Sequence, residues 1–303
     1  MTLPRMVVFG EALTDIVQHK PGEWQGYPGG APWNVARTLS RLGVKTAFAG
    51  SVSNDSLGDE IVAQSMASGL DMRFIQRVNA DPLVAIVPSS HPPRYFFAGE
   101  ADLLFTPDLL PAQWLDHADS CHFSCISLTR QPLDDKLLSI AQAAKKCGKT
   151  ISFDPNWRNV MDTHYRNYTY PSMLALADTV KFSDEDLRNI YPGLSESEAL
   201  YEIRQLNPKA EILLTRGERG LSLYTSETAY EQAAIPICVS DTVGAGDASM
   251  AGWLASRLLG IHEASQRLEF SAACASLSCS DPGAYSPDHK EVLSFLNKTK
   301  AGQ

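Results

Sequence analysis

Two spacings alternate along this chain. Short apolar runs rich in β-branched and aromatic residues, RMVVFGEAL (5–13), VKTAFAGSV (44–52), SCHFSCISL (120–128), KTISFDP (149–155), DTVKFS (178–183) and EILLTRG (211–217), read as strands. Between them, apolar positions return at helical spacing in APWNVARTLSRLG (31–43), LGDEIVAQSMASG (57–69), DDKLLSIAQAAKKCG (134–148) and SESEALYEIRQL (195–206). Strand–helix alternation of this kind predicts a mostly parallel sheet with helices on both faces. Gly43, Gly69 and Gly148 each stand where a helix should close. Two stretches break the rhythm. Residues 14–28 and 71–99 hold strand-like pieces without helices, among them RFIQRV, PLVAIVP and RYFFAG, with SSHPP as a turn. Antiparallel strands inserted at these places predict a small lid sheet that excludes water from a site. The tail NKTKAGQ is expected to fray.

At 303 residues the chain is long enough to form one α/β domain that buries about three quarters of its unfolded surface. Its net charge of -9 argues against a nucleic-acid partner. The N-terminal segment lacks an apolar core of signal-peptide length, and no run of apolar residues is long enough to span a membrane, so a cytoplasmic location is expected. Cys121, Cys125, Cys147, Cys238, Cys274 and Cys279 form no CxxC pair, and reduced, mostly buried thiols are expected.

The chemistry concentrates at VSDTVGAGDASMAGWLA (239–255), where Gly244, Ala245 and Gly246 lead into Asp247 at the start of a helical pattern. Amides at a helix N-terminus lack intrahelical partners and carry the positive end of the dipole, so a loop without bulk forms an anion cradle there. Asp247 beside it is placed to take a proton from an incoming hydroxyl. The competing reading makes Asp247 a helix cap and the glycines a turn. Other phosphate loops fail: CGKT (147–150) has Ala143 where a P-loop needs glycine, and no GxGxxG follows the first strand.

A second cluster, YPGGAPWNVARTLSRLG (27–43), sets Gly29 and Gly30 before a helix with Asn34 on its first turn. Asn34 both donates and accepts hydrogen bonds. The two clusters, as GG-A-P-x-N-x-A and DTVGAGD-x-S-x-x-AG, resemble the two signatures of the ribokinase-like (PfkB) carbohydrate kinase family, with motifs nearest those of its fructokinases. The resemblance spans nearly the whole chain. It implies a three-layer α/β/α sandwich with a mostly parallel central sheet and a small β-sheet lid over residues 1–303. It also implies ATP and Mg2+ as cofactors, with K+ left open, and a small free sugar as acceptor.

Residue by residue, the resemblance gives Asp247 as general base and the amides of Gly244, Ala245 and Gly246 as an anion hole. Asp15, in GEALTD (10–15), joins Gly29, Gly30 and Asn34 as a sugar ligand. SFDPNWR (152–158) is similar to the family's DPNxR segment, with Arg158 clamping phosphate or a substrate oxygen, or else paired with Asp154. VKFSDEDL (180–187) resembles K-x-N-x-x-E, assigning Lys181 and Ser183 to nucleotide and Asp186 to magnesium. Ser183 stands there for Asn, and Asp186 for Glu. LLTRGERG (213–220) offers Thr215, Gly217 and Gly220 to ATP, and Cys279 falls in the adenine-side loop. Fructokinases often carry a basic residue shortly before the AD of the lid return. Glu100 stands near it here, with Arg94 on the preceding strand as the substitute. Trp33 fills a place usually held by a small residue, and the sequence leaves its direction open. D-fructose is the favoured acceptor, ahead of another sugar, a sugar acid such as 2-keto-3-deoxygluconate, or a nucleoside. A sugar-sensing relative without catalysis and a nicotinamide oxidoreductase are the rival classes. Exposed lid strands offer edges along which two copies could pair as a homodimer.

Overall fold

A computed structural model describes residues 2–90 and 93–301. His91 and Pro92 of the expected turn, and Gly302 and Gln303 of the tail, lie outside the described residues. The strands are β1 (Met6–Phe9), β2 (Leu13–Lys20), β3 (Glu23–Gly29), β4 (Thr46–Ser53), β5 (Ile75–Val78), β6 (Val84–Ser90) and β7 (Pro93–Ala98). They continue with β8 (Ser120–Ser124), β9 (Thr150–Asp154), β10 (Thr179–Ser183), β11 (Glu211–Thr215), β12 (Leu221–Tyr224) and β13 (Ala229–Gln232). Nine form one sheet in the order β13-β12-β11-β10-β9-β8-β1-β4-β5, and four form a second in the order β3-β2-β6-β7.

In the large sheet every pairing from β11 to β5 is parallel, while β12 and β13 add an antiparallel edge. β1, β4 and β8 are buried along their whole length, as strands covered on both faces must be. One face packs on the helices Leu133–Lys146, Tyr170–Leu176 and Glu196–Leu206 through Phe123, Phe153, Phe182 and Leu214. The other packs on the helices Ala31–Arg41, Ala245–Leu258, Ala264–Ser278 and His289–Ala301 through Met6, Val8, Phe48 and Leu213. This is the expected three-layer sandwich.

The small sheet consists of two antiparallel hairpins, β2–β3 and β6–β7, joined by a parallel β2–β6 pairing. Leu13, Ala31, Leu83, Ala85, Cys125 and Ile126 form the apolar seam where it meets the large sheet.

Several expectations shift. Of the stretch 71–99, only β6 and β7 belong to the small sheet; Ile75–Val78 pairs with β4 at the edge of the large one. The strand expected at 5–13 stops at Phe9, because Gly10 (φ 144°) turns the chain into β2. The strand expected at 120–128 stops at Ser124, and Cys125–Thr129 forms a 3₁₀ turn that starts from Cys125 at φ 61°. The tail is helical to Ala301. All six cysteines are free thiols, but only Cys121, Cys125 and Cys274 are buried; Cys147 and Cys238 are exposed and Cys279 lies between. Gly43, Gly69 and Gly148 all take the positive φ of closing positions.

Candidate active site

Gly244 caps the helix Ala245–Leu258 in the left-handed conformation, φ 79°. A Cβ there would stand 2.7 Å from Ala284 Cβ, so both conformation and packing demand glycine. Ala245, Gly246 and Asp247 occupy the first turn, where amides have no intrahelical acceptor. Ala245 N–H turns back to the Thr242 carbonyl at 3.3 Å, while the amides of Gly244, Gly246 and Asp247 have no backbone acceptor among the described residues. Space over Gly246 is open: a Cβ there would find only the Lys181 side chain, 3.6 Å from Nζ.

Asp247 is buried, and its side chain caps nothing in its own helix. Its Oδ2 instead accepts a hydrogen bond from Asn34 Nδ2 at 2.9 Å. Asn34 is fixed by Gly30, the cap of the helix Ala31–Arg41 at φ 110°, whose carbonyl accepts the Asn34 N–H at 2.9 Å. A Cβ on Gly30 would stand 2.7 Å from the Glu11 carbonyl. The two glycine clusters thus meet through one side-chain contact, and the capping alternative for Asp247 falls away. Burial raises the Asp247 pKa, against the Asn34 hydrogen bond and the charges of Lys181 and Arg158.

Asp15, on β2, has its pKa pushed up to about 6 by burial; Arg158 opposes the shift and Asp247 adds to it. Gly29 is bare because a Cβ there would collide with the Asp15 carboxylate. Arg158 makes no ion pair with Asp154. Its Nη1 donates to Asn156 O (3.1 Å), Asn156 Oδ1 (2.8 Å) and Trp157 O (2.8 Å), and its guanidinium lies 4.9 Å over the Tyr95 ring. Asp154 is held by Lys181 at 2.9 Å, and both side chains are buried. Arg94 is not brought to this group. Alternation along β7 turns Arg94 and Phe96, both exposed, to the face opposite Tyr95. Trp33 faces the core: its Nε1 donates to Ser65 Oγ at 2.8 Å and Arg37 stacks on it at 4.4 Å, so it does not narrow the sugar pocket.

On the other side of the corner, Ser183 and Asp186 form a capping box for the helix Asp184–Ile190. Asp186 Oδ2 accepts from Ser183 N and Oγ, each at 2.7 Å, and Oδ1 accepts from Trp157 N at 2.7 Å. Thr215 ends β11, with Gly217 at φ 55° and Gly220 at φ 85° closing the turn behind it. Cys279 contributes through its backbone: its carbonyl accepts the amides of Ser240 (2.8 Å) and Asp241 (3.3 Å), while burial raises its thiol pKa. Asp241 Oδ2 then accepts Gly283 N–H at 2.9 Å, tying the loop before the glycine corner to the C-terminal loop.

Two further residues, Glu11 and Tyr95, carry no role in the sequence-based assignment, and Asp154 entered it only as the alternative partner of Arg158. Asp154 has its pKa pushed up to about 7 by burial, opposed by Lys181 and reinforced by Asp186 and Asp247. Glu11, buried and bonded to the backbone and hydroxyl of Ser127, is likewise pushed up to about 7 by burial. Tyr95 supplies the ring under Arg158. An acid inside an apolar strand run, Glu11 in VVFGEAL or Asp154 in ISFDP, is the signal that points to these two acids.

Three buried acids, Asp154, Asp186 and Asp247, stand against two cations, Lys181 and Arg158. That surplus of hard oxygen donors fits Mg2+. Among the described residues no three such side chains stand close enough to enclose an ion, so the fit is to a hydrated ion completed by phosphate oxygens.

An open α/β sheet whose strand ends present a bare helix corner, a buried carboxylate and an acid–lysine cluster has the parts that transfer of a phosphoryl group to a small molecule requires. The chain matches the model of the pfkB family carbohydrate kinases over residues 4–291, and it belongs to that family. It is 31% identical over 262 residues to the fructokinase of Klebsiella pneumoniae, covering 82% of each chain. The structure of fructokinase with bound ATP from Xylella fastidiosa superimposes with a TM-score of 0.88 at 26% identity, covering 98% of this chain and 100% of that one. A candidate ribokinase II from E. coli in complex with ATP and Mg2+ gives a TM-score of 0.87 at 26% identity, with 98% and 100% covered. The fold is ribokinase-like, and the enzyme is a carbohydrate kinase.

Proposed function

We propose that this kinase transfers the γ-phosphoryl group of ATP to a primary hydroxyl of a free sugar, D-fructose, giving fructose 6-phosphate and ADP. One observation carries the reading: the hydrogen bond from Asn34 to Asp247, which sets a sugar-side amide against an acid at the anion corner. Asp247, ionised, takes the proton from the attacking hydroxyl. The amides of Gly244, Gly246 and Asp247 meet the charge of the transferring group, and Lys181 lies beneath Gly246 as the positive floor. Asp15 and the free acceptor of Asn34 hold the sugar hydroxyls, and Arg158 closes the pocket from the Tyr95 side. Thr215, Gly217 and Gly220 line the nucleotide side. Mg2+, held through water by Asp186 and Asp154, would neutralise the phosphate oxygens. K+ at the C-terminal loop is an optional addition.

The small sheet acts as the lid, since it carries Asp15 and Tyr95 and packs on the rest of the chain through an apolar seam and the Arg158–Tyr95 stack. The exposed edges of that sheet are where a second copy of this chain would pair. Among the described residues no helix is long and apolar enough to cross a membrane, and the proposed compartment is the cytoplasm.

Fructose as acceptor rests on the motifs and on the two fructokinases above. A panel of sugars, sugar acids and nucleosides in a coupled ADP-release assay tests it. D-fructose should give the highest kcat/KM; a better sugar acid or nucleoside would displace it, and sugar binding without ADP from any acceptor would remove the catalytic reading.

A further inference from the structure

The nucleotide-side segment Thr215–Gly220 is braced from the far face of the sheet. Arg216 stands between Thr215 and Gly217, and its N–H closes the turn onto the Gly220 carbonyl at 2.8 Å. Its side chain, only 13% exposed, runs away from the cleft. Nε and Nη2 donate to the two oxygens of Glu196 at 2.9 and 2.7 Å, Nη1 donates to Ser222 Oγ at 2.7 Å, and Nη2 also reaches Tyr224 Oη at 2.9 Å. Ser222 and Tyr224 alternate along β12 with Leu221 and Leu223, which pack toward the helix that carries Asp247. The guanidinium therefore lies on the opposite face and cannot touch a ligand at the glycine corner. Glu196 opens the helix Glu196–Leu206, where the dipole favours a carboxylate. A two-pronged guanidinium–carboxylate contact of this kind fixes orientation as well as distance. Arg219, in the same turn, reaches Asp184 Oδ2 at 2.9 Å, but that pair is exposed and adds little by itself.

We propose that Arg216 is a positioning residue for the nucleotide, clamped by Glu196, Ser222 and Tyr224 so that Thr215, Gly217 and Gly220 hold the geometry that receives ATP. This rests on the reading that segment 215–220 contacts ATP. With the clamp released, Gly217 and Gly220 are free to move, and a displacement of about 1 Å at a ligand-contacting segment costs up to about a hundredfold. Lysine at this place keeps the charge but loses the fork, so it restores only part of the function.

The test measures ATP and sugar affinities separately, by calorimetry and by steady-state kinetics, on the full chain and on Arg216→Gln, Arg216→Lys and Glu196→Gln. Arg216→Gln should raise the Kd and KM for ATP by about ten- to hundredfold, with sugar Kd within about twofold of the parent. Arg216→Lys and Glu196→Gln should fall between. If Arg216→Gln does not fold, as circular dichroism will tell, Glu196→Gln carries the same measurement. ATP affinity unchanged in a folded variant, or ATP and sugar affinities lost together, would overturn the clamp. A parent chain that binds sugar but no ATP would overturn the reading of segment 215–220 and the clamp with it.

Discussion

Asp247 is pulled in opposite directions by its surroundings. Burial favours the neutral acid, while Asn34, Lys181 and Arg158 favour the carboxylate. A base needs that compromise, since a fully solvated carboxylate would accept a proton weakly and an unpaired buried one would keep it. Asp247→Asn keeps an oxygen for the Asn34 amide and removes only the basic site. The expected outcome is a fall in kcat of about 10²–10⁴-fold with sugar affinity nearly unchanged, read by single-turnover kinetics beside calorimetry. Near-parental turnover would remove Asp247 from the role. At this scale the sequence is most legible where the backbone itself is constrained, because Gly30 and Gly244 sit at positive φ with neighbours that forbid a Cβ. It is least legible where partners depend on strand register. Lys181 and Asp154 are 27 positions apart, and only the adjacency of β9 and β10 shows that Asp154 belongs to Lys181 rather than to Arg158. Arg94 misleads for the same reason: its place in sequence is right, but the pleat turns it outward.

Elements read well when one face is buried and the other wet. The helix Glu196–Leu206 has that character, and its expected limits agree with the structure within a turn; Ala31–Arg41 agrees as closely because Arg37 and Arg41 mark a polar side, although none of its residues is exposed. The helix Ala264–Ser278 does not announce itself, because it is buried on nearly every side, from Arg267 through Ser278. Polar positions such as Ser271 and Ser276 make their bonds inside the protein, so no apolar stripe forms. β5 reads like its neighbours in the small sheet because four residues carry no information about which sheet they join. Edge strands have a consequence of their own. β3 is exposed from Glu23 to Tyr27, and Trp24 (46% exposed) and Phe96 (63%) stand on the outer face of the small sheet. Strand edges and apolar faces of this kind invite pairing with another chain. Sedimentation should find a dimer that Trp24→Lys with Phe96→Lys converts to monomer; a parent chain that is monomeric at micromolar concentration would exclude the pairing.

At the scale of the whole molecule, the site is assembled across the gap between two sheets. The large sheet supplies Asp154, Lys181 and the strand ends beneath Asp247, and the small sheet supplies Asp15 and Tyr95. Burial in that gap is what raises Asp15 to about 6, so its charge state changes in an ordinary working range. Above that value Asp15 is ionised and, on the proposed reading, would accept hydrogen bonds from sugar hydroxyls with both oxygens. As pH falls through it, one carboxylate oxygen becomes a donor, and the group loses its charge and one of the acceptor sites that the sugar hydroxyls would use. The sign follows: sugar affinity should be constant toward pH 8 and weaken below about pH 6, approaching tenfold per unit of pH once Asp15 is mostly protonated. ATP affinity should not share this dependence, because Asp15 lies on the sugar side. Calorimetric titration of sugar from about pH 5 to about pH 8 reads the curve, and Asp15→Asn should flatten it at the weak-binding level. A sugar affinity that holds steady through pH 6 in the parent chain would mean that the small sheet covers the acceptor without gripping it.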